Sequence, residues 1–409
     1  MKLTYRLFIG FIRFVLPILA LFSKKVKLFV EGRKLTFEKL KPLQGTDVIW
    51  FHVASLGEFE QARPIIEEVK ELVPSYKILV TFFSPSGYEV RKDYHMADVV
   101  CYLPLDSKSN AVQFVKWVNP KLAIFVKYDF WPNLLFELKK NNCKTILVSG
   151  IFRENQIFFE WYGKLMRNAL KSFDHFFVQN SESKELLKSL AFGNVTISGD
   201  TRFDRVYKIL QQKKTLDFVD QFKSDQLTIV AGSTWKEDEA LLIDYINTSD
   251  NCKFIIAPHT ISKKSISDLK AMLSKRVILY SEREGRQLEN YDVLLIDTIG
   301  ILTNIYAYAD VAYVGGGLKT GLHNILEPAT FGIPVVIGHK YDKFKEAIDL
   351  VELKGCFSIK NQKEFDSIFD KLIQDESFRK SSGKIAGDYI QANYGATDKI
   401  IAYIKTMLN

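Results

Sequence analysis

The chain has few cysteines and lacks the short motifs that mark zinc, metal-diphosphate and ATP sites. Its 409 residues include only four cysteines, Cys101, Cys143, Cys252 and Cys356, and none of them forms a Cys-x-x-Cys pair. This spacing is typical of a reduced, cytoplasmic protein and gives no zinc signature. Asp-x-Asp and Gly-x4-Gly-Lys-Ser/Thr are also absent. The sequence therefore supports neither a metal-diphosphate site of the familiar kind nor a Walker P-loop.

The chain also has no net charge outside its N-terminal 41 residues. Residues 1–41 hold ten Lys/Arg and two Glu, which accounts for the whole net charge of +8. A basic surface for nucleic acid is therefore not indicated. The run from Leu7 to Phe22 is apolar but short for a membrane span, and Arg13 and Pro17 interrupt it.

The apolar and basic segment of residues 1–30 predicts an anchor that lies on an anionic membrane surface. Basic residues flank the segment on both sides, which favours a cytoplasmic position for both of its ends. No convincing cleavage site of small residues follows, and this disfavours a signal peptide. A helix buried against the N-terminal domain is the alternative.

Short apolar strands alternate with helical patterns along the chain, which implies parallel sheets. The sequence therefore predicts an α/β protein with two Rossmann-like domains that face each other across a cleft. The first seven predicted strands are Val48–His52, Ile78–Phe82, Val99–Leu103, Leu122–Val126, Thr145–Ser149, Phe176–Gln179 and Val195–Ser198. The second seven are Leu227–Ala231, Phe254–Ala257, Val277–Leu279, Val293–Asp297, Val311–Val314, Val335–Ile337 and Cys356–Ile359.

Five segments follow from this pattern. We expect a membrane anchor at 1–30, an N-terminal domain at 31–205 and a polar, helix-biased linker at 206–226. A C-terminal domain at 227–390 comes next. A last helix at 391–409 has no strand after it and can cross back to the N-terminal domain.

A carboxylate follows the first strand at a glycine turn. His52 ends the strand, Gly57 would allow a tight exit, and an amphipathic helix is expected from Glu58. Such turns point into the ligand crevice of an open parallel sheet, so Glu58 can serve as an ionised general base. The Ser-x-x-Glu spacing of Ser55 and Glu58 also fits a capping box, in which the carboxylate only satisfies backbone donors. The sequence leaves both interpretations open.

Three glycines follow a strand in the second half, at Gly315–Gly317, and a helix is expected from His323. The N–H groups and the dipole of a helix N-terminus suit a phosphate. Asn324 and Glu327 are one helical turn apart, and such a carboxylate can accept both hydroxyls of a ribose. This predicts a nucleotide-sugar donor site. The alternative is a glycine-rich turn in which Glu327 pairs locally.

Three further strand ends carry candidate residues. Ser233 and Thr234 can hold the same phosphate, although they also fit a Thr-x-x-Glu helix cap. His259, after Pro258, ends the next strand, and this position favours a functional role. Gly300 can let the backbone approach a base or can form a simple turn.

Several motifs, in order, resemble those of the 3-deoxy-D-manno-octulosonic acid (Kdo) transferases of lipopolysaccharide assembly. Residues 52–58 are similar to the family's His-Ala-x-Ser-Val-Gly-Glu, and residues 323–328 to its His-Asn-x-x-Glu-Pro. The resemblance covers nearly the whole chain, including the N-terminal anchor. Further similar segments lie at 102–106, 131–133, 199–204 and 232–234.

The resemblance implies a GT-B enzyme that needs neither metal nor cofactor and works at the cytoplasmic face of the bacterial inner membrane. The N-terminal domain would bind a lipid A precursor, and the C-terminal domain would bind CMP-Kdo. Glu58 would deprotonate the acceptor hydroxyl, which attacks the anomeric carbon of Kdo with inversion. The predicted donor-binding residues are Ser233, Thr234, Pro258, His259, Ile299, Gly300, Ile301, Gly316, Gly317, Asn324, Ile325, Leu326 and Glu327. The predicted acceptor-side residues are Ser55, Gly57, Lys127, Asp129 and Arg153.

Several positions depart from the family pattern. The family's Pro-Arg-His run is shortened here to Pro258-His259, which loses an Arg. Lys127 stands where a Glu is usual, Trp235 where a His is usual, and Ile301 where a Glu is usual. Contacts with acceptor and donor are therefore expected to differ in detail.

Other functions are compatible with the same fold. They are a UDP-sugar transferase with a lipid acceptor, a GT-B-like UDP-sugar epimerase, and a membrane-bound protein without catalytic activity. The apolar N-terminus disfavours the epimerase, because a soluble substrate needs no anchor. The presence of Glu58 and of the donor motif disfavours the binding protein.

Overall fold

Two compact α/β units make up the structure, a computed structural model that describes residues 2–211, 215–250 and 252–408, with side chains from residue 4 onward. The first unit is Met1–Arg205 with Tyr394–Asn409, and the second is Val206–Asn393. Each unit contains a parallel seven-stranded sheet in the described residues. The predicted α/β class with two Rossmann-like domains is therefore confirmed.

In the first sheet β1 lies between β2 and β4, in the order β3-β2-β1-β4-β5-β6-β7. Its strands are β1 Val48–Val53, β2 Lys77–Phe82, β3 Val99–Tyr102, β4 Pro120–Val126, β5 Lys144–Gly150, β6 His175–Val178 and β7 Val195–Ile197. The helices are α1 Lys2–Leu19, α2 Lys24–Lys34, α3 Thr36–Lys39, α4 Leu56–Leu72, α5 Pro85–Arg91, α6 Lys108–Val118, α7 Pro132–Lys140, α8 Lys164–Leu170, α9 Ser181–Ser189 and α10 Arg202–Gln211.

The second sheet has the order β10-β11-β9-β8-β12-β13-β14. Its strands are β8 Thr228–Thr234, β9 Lys253–Pro258, β10 Val277–Leu279, β11 Val293–Leu295, β12 Val311–Val314, β13 Val335–Gly338 and β14 Cys356–Ile359. The helices are α11 Asp217–Lys223, α12 Lys236–Thr248, α13 Lys263–Met272, α14 Leu302–Ile305, α15 Leu326–Ala329, α16 Lys345–Leu353, α17 Gln362–Gln374 and α18 Glu376–Asn393.

Burial on both faces explains why the strands are apolar runs rather than alternating patterns. In β1, Val48 and Trp50 belong to the core on one face of the sheet, whereas Ile49, Phe51 and Val53 belong to the core on the other face. All six residues of this strand are buried. Each of the fourteen predicted strands is present in the described residues, with ends that differ from the prediction by three residues or fewer.

The strand order reverses once in each sheet, and this places the candidate residues. The reversal lies between β1 and β4 in the first sheet and between β8 and β12 in the second. Ligands of open α/β sheets bind beyond the carboxyl ends of the strands at such a switch point. The segments that follow β1, β4, β8 and β12 are therefore where a site is expected in each unit.

The last helix, α19 Ala396–Leu408, belongs to the first unit. Ile400, Ile401 and Ile404 join the core on one face of the first sheet. Asp204 caps the start of this helix, because its carboxylate accepts the N–H groups of Gly395 and Thr397 and the Thr397 hydroxyl. The 199–204 motif thus contributes a structural contact at its last residue.

The segment 206–226, predicted as a linker, is largely helical in its described residues and belongs to the second unit. It holds the end of α10 and all of α11. Val219 and Phe222 of α11 are both buried. Their spacing of three residues places them on the same face of the helix. Lys223 forms an ion pair with Asp310 at 2.8 Å.

The N-terminal helix α1 is 18 residues long and contains Pro17. In the described part of the chain, none of the helices combines the length and the apolar character needed to cross a membrane.

Replacing Ile404 by alanine should lower the free energy of unfolding by about 2–5 kcal/mol, because truncating a buried isoleucine leaves a cavity. The Ile404 side chain is 0% exposed. Urea unfolding followed by tryptophan fluorescence measures the change. The control is Lys405→Ala, which alters the exposed neighbour in the same helix. Equal stability of the two variants would contradict the packing of α19 described above.

Candidate functional site

Glu58 lies in the first turn of α4, directly beyond the carboxyl end of β1. Its side chain is largely buried, with 9% of the residue exposed. Gly57 before it has no positive φ, and a Cβ there would meet only the Ser55 Oγ, at 3.8 Å. The exit from β1 that Gly57 was expected to allow therefore uses no backbone conformation that is special to glycine.

The capping-box interpretation of Glu58 is not supported by the observed contacts. The Ser55 side chain makes no capping bond to the backbone of α4. Its hydroxyl instead donates to Glu58 Oε2. Lys127 Nζ lies 3.6 Å from the other oxygen, Oε1. The carboxylate is therefore held by two side chains, one neutral and one cationic, at the switch point of the first sheet.

Lys127 is the first residue after β4 and has a left-handed backbone conformation, with φ of +70°. Its N–H donates to Val148 O at 3.0 Å, which extends the ladder to β5 by one residue. A left-handed conformation is costly for a residue with a side chain, and such residues often mark functional sites. Here the conformation accompanies an ammonium group that reaches Glu58.

Asp129 contacts the buried His52 rather than Glu58. Its Oδ2 lies 2.8 Å from His52 Nε2, and Trp131 Nε1 lies 3.1 Å from the same nitrogen. His52 Nδ1 lies 2.9 Å from Thr81 Oγ1. The sequence identified His52 only as part of a motif. Its contacts with β2 and with the segment after β4 could be recognised only from the order of the strands in the sheet.

Arg153 stands apart from these groups in the contacts that the structure describes. It lies in the exposed loop after β5, where its N–H donates to Gln156 Oε1 at 3.0 Å. Its guanidinium has no hydrogen bond or ion pair among the described residues. Of the predicted acceptor-side residues, the structure thus brings Ser55 and Lys127 into contact with Glu58.

Asp238 organises the switch point of the second sheet. Its carboxylate accepts the N–H of Trp235 at 2.8 Å, the N–H of Gly316 at 2.9 Å and the Tyr313 hydroxyl at 2.7 Å. It thereby joins the start of α12 to the glycine turn after β12. Burial raises the pKa of Asp238, although these three donors act in the opposite direction.

The predicted Thr-x-x-Glu cap of α12 is wrong, because the acid that caps the helix is one residue further on. Asp238 accepts the N–H of the N-cap residue Trp235. Glu237 instead pairs with Lys319 at 2.6 Å, and the Thr234 hydroxyl donates to Glu239 at 3.2 Å. The sequence did not identify Asp238 as the capping residue, because three consecutive acidic residues lie in the first turn of this helix. The sequence alone does not show which of their side chains points into the interior.

The glycine run is required mainly by backbone packing. A Cβ on Gly315 would lie 2.4 Å from Ser233 O, and one on Gly317 would lie 2.9 Å from Gly338 N. Gly316 has a φ of +91°. The N–H groups of Gly315 and Gly316 are already bonded, to Gly232 O and Asp238 Oδ2. They are therefore not open to a phosphate in this conformation.

The helix that was predicted to begin near His323 begins instead at Leu326. The helix α15 is a single turn, Leu326–Ala329. Gly332 with a φ of +69° and Pro334 follow, and both oppose a longer helix. An anion site on the N-terminus of a long helix is therefore not formed at His323.

Glu327 nevertheless meets Asn324 as the spacing predicted. Asn324 Nδ2 donates to Glu327 Oε1 at 3.0 Å, and Thr303 Oγ1 donates to Oε2 at 2.7 Å. Thr303, on α14, could not be found from the sequence because it lies 24 residues away. Both oxygens have neutral donors, which orient the carboxylate without neutralising its charge.

The side-chain rings of Trp235, His259 and His323 form a stack. Trp235 stacks on His259 with a centroid distance of 4.3 Å, and its Nε1–H donates to His323 Nε2 at 3.0 Å. Burial, and next the proximity of His259, lower the pKa of His323 to about 4. His323 is therefore a neutral acceptor near pH 7. The His-to-Trp departure at Trp235 supplies the donor of this contact.

The remaining donor-side candidates lie after β9 and β11. Pro258 ends β9, and the His259 N–H donates to Thr234 O at 2.9 Å. Ile299 is exposed, Gly300 has a φ of +94°, and Ile301 is the N-cap of α14. No group of three His, Cys, Asp or Glu suited to a metal ion occurs among the residues that the structure describes.

Comparison with known proteins finds Kdo transferases. Residues 30–205 match the family model described as 3-Deoxy-D-manno-octulosonic-acid transferase (kdotransferase). Over 368 residues the chain is 29% identical to the 3-deoxy-D-manno-octulosonic acid transferase of Aquifex aeolicus, covering 87% of this chain and 94% of that one. Over 388 residues it is 27% identical to the Haemophilus influenzae enzyme of the same name, covering 90% and 88%.

Solved structures with a similar fold include an epimerase and MurG. The UDP-GlcNAc 2-epimerase of Neisseria meningitidis superposes with a TM-score of 0.62 at 14% identity, covering 88% of this chain and all of that chain (100%). MurG of Acinetobacter baumannii superposes with a TM-score of 0.56 at 10% identity, covering 88% and 99%. These similarities concern the fold alone, and they confirm the predicted GT-B class.

Replacing Asp238 by alanine should lower the free energy of unfolding by about 3 kcal/mol, because two N–H groups and one hydroxyl lose their acceptor. Tyr313→Phe removes only one of the three bonds and should cost about 1 kcal/mol. Urea unfolding of both variants measures the difference. An Asp238→Ala variant no less stable than Tyr313→Phe would contradict the organising role of Asp238.

Proposed function

Since the chain belongs to the Kdo transferase family of glycosyltransferases in lipopolysaccharide biosynthesis, we propose that it transfers Kdo from CMP-Kdo to a lipid A precursor. The observation that carries the proposed chemistry is the environment of Glu58. This carboxylate lies at the switch point of the first sheet and is held by the side chains of Ser55 and Lys127.

In this proposal Glu58 is the general base. It accepts the proton of the acceptor hydroxyl as the oxygen forms a bond to the anomeric carbon of Kdo and the bond from that carbon to the CMP phosphate breaks. Attack opposite to the leaving group inverts the anomeric centre. Lys127 compensates the charge of Glu58 before the proton arrives, and Ser55 fixes the orientation of its carboxylate.

The second unit is the proposed donor site. Glu327 has a carboxylate oriented by Asn324 and Thr303, and it can accept the hydroxyls of the CMP ribose. Ser233 and Thr234 end β8 directly before the N-terminus of α12, a 13-residue helix whose dipole favours a phosphate. We propose that these groups support departure of CMP without a divalent metal ion.

The proposed location is the cytoplasmic face of the bacterial inner membrane, with α1 lying on an anionic lipid surface. The helix exposes large apolar side chains along one side, whereas Ile9 is buried. Basic Lys24 and Lys25 follow in α2. Apolar burial and attraction to anionic lipids together favour an interfacial position. The exposed apolar residues of α1 are Leu7, Phe8, Phe11, Phe14, Ile18 and Leu19.

Glu58→Gln should lower kcat for Kdo transfer by roughly 10²- to 10⁴-fold and leave CMP-Kdo binding unchanged, because the amide keeps the shape but cannot accept the proton. The assay uses detergent-solubilised protein, CMP-Kdo and a lipid A precursor, with product measured by mass. Glu71→Gln, on the exposed side of the same helix, is the matched control. Undiminished turnover by Glu58→Gln would remove Glu58 from the mechanism.

Lys127→Gln should lower kcat roughly tenfold without changing the KM for CMP-Kdo, because it removes the cation beside the base but no proposed donor contact. Lys127→Arg should restore most of the rate, and Lys127→Glu should be the slowest because it places a second anion beside Glu58. Steady-state kinetics of the three variants tests this order. Equal rates for all three would contradict a role for charge at this position.

A further inference from the structure

The first unit contains a cavity with an unusual lining, which Glu58 does not line. Its volume is about 340 Å³, within the range of ligand sites. It lies between α1, α2 and the segment that follows β3. Its lining residues are Arg13, Leu16, Pro17, Phe29, Val30, Arg33, Lys34, Phe37, Pro104, Leu105 and Asn110.

The charged side chains that line this cavity are all cationic, and they are combined with apolar side chains. Three cations line it, Arg13, Lys34 and Arg33, and no acidic side chain is among its lining residues in the described part of the chain. Most of the other lining side chains are apolar. A ligand that complements this surface has an anionic end and an apolar end.

Arg33 is the most informative of the three cations. Its guanidinium stacks 3.4 Å from the centroid of Phe29 and 4.9 Å from that of Phe83. It donates to Phe29 O at 3.0 Å and to Phe83 O at 2.6 Å. Its Nε is buried without a hydrogen-bond partner in the described residues. The structure records no carboxylate within ion-pair distance of this group.

A largely buried cation without a directly ion-paired carboxylate is costly in free energy. Burial also lowers the pKa of Arg33, to about 9. An anion in the adjoining cavity would offset this cost and would have the side chains of Arg33 and Lys34 in the cavity lining near it. The lining therefore has the composition of an anion-binding site.

The position of the cavity connects it to the apolar surface of α1. Leu16 and Pro17 line the cavity, whereas Phe11 and Phe14 of the same helix are 65% and 73% exposed. Tyr5 of α1 donates to Asp106 at 2.8 Å, which ties the helix to the segment after β3. A lipid whose chains lie beside α1 therefore has its head group close to the cavity.

We propose that this cavity binds one anionic phospholipid of the membrane. Its phosphate pairs with Arg33, Arg13 and Lys34, and part of one acyl chain packs against Leu16 and Phe29. This inference rests on the membrane attachment included in the proposed function. The inference goes beyond the proposed function in one respect. A diffuse basic surface attracts anionic lipids without a fixed number of lipid molecules per protein chain, whereas a cavity binds one molecule.

The test measures binding of short-chain phosphatidylglycerol to the full chain in detergent by native mass spectrometry, with phosphatidylcholine as the comparison lipid. We expect one retained phosphatidylglycerol and little retained phosphatidylcholine. The double variant Arg13→Gln/Lys34→Gln should weaken binding roughly tenfold, because two charged partners of the phosphate are lost. Arg33→Gln should weaken it further, and its fold is checked by circular dichroism.

Lys24→Gln/Lys25→Gln is the matched control, since it removes the same charge from α2 outside the cavity. Equal weakening by the two double variants would overturn the proposal in favour of diffuse attraction. Competitive displacement of phosphatidylglycerol by a lipid A precursor would also overturn it, because the cavity would then belong to the acceptor. Binding is measured without CMP-Kdo, so the transfer assay decides the proposed function separately.

Discussion

The parallel pairing of β1 with β2 and β4 is the constraint on which the first unit depends. His52 pairs with Thr81 on one side and with Phe125 on the other. This register brings the turn after β1 next to the residue after β4, and so Glu58 next to Lys127. A slip of one residue would exchange the two faces of β1 and move Trp50 to the opposite core. The core and the candidate base are therefore fixed by the same backbone ladder.

Carboxylates oriented by neighbouring side chains recur at the switch points of both sheets. Glu58 is held by a hydroxyl and an ammonium group, whereas Glu327 is held by an amide and a hydroxyl. Asp238 is different, because its donors are two backbone N–H groups and a buried tyrosine. The first two carboxylates lie at an edge of a sheet where ligands are expected, and the third joins two segments of the protein. This difference separates the candidate site residues from a structural one.

The strands were predictable because burial on both faces leaves apolar runs between helical patterns. The positions of Glu58 and Glu327 beyond strand ends were predictable because both belong to recognisable strand-to-helix segments. The contacts of Lys127 and Thr303 were not, since each comes from a distant segment that only the strand order brings near.

The predicted helix at His323 and the predicted cap at Glu237 failed for a local reason. Glycines, prolines and adjacent acids leave the sequence compatible with more than one backbone path. The cavity beside Arg33 was likewise beyond sequence reasoning, because its walls come from three separate segments.

The most direct test of the central claim is a transfer assay with detergent-solubilised protein and a lipid A precursor in EDTA. CMP-Kdo and a panel of UDP-sugars are supplied separately, and the lipid product is identified by mass. The account predicts a Kdo-bearing lipid from CMP-Kdo and no product from the UDP-sugars. Product from a UDP-sugar and none from CMP-Kdo would contradict the proposed donor. Transfer that requires added divalent metal would contradict the proposed metal independence.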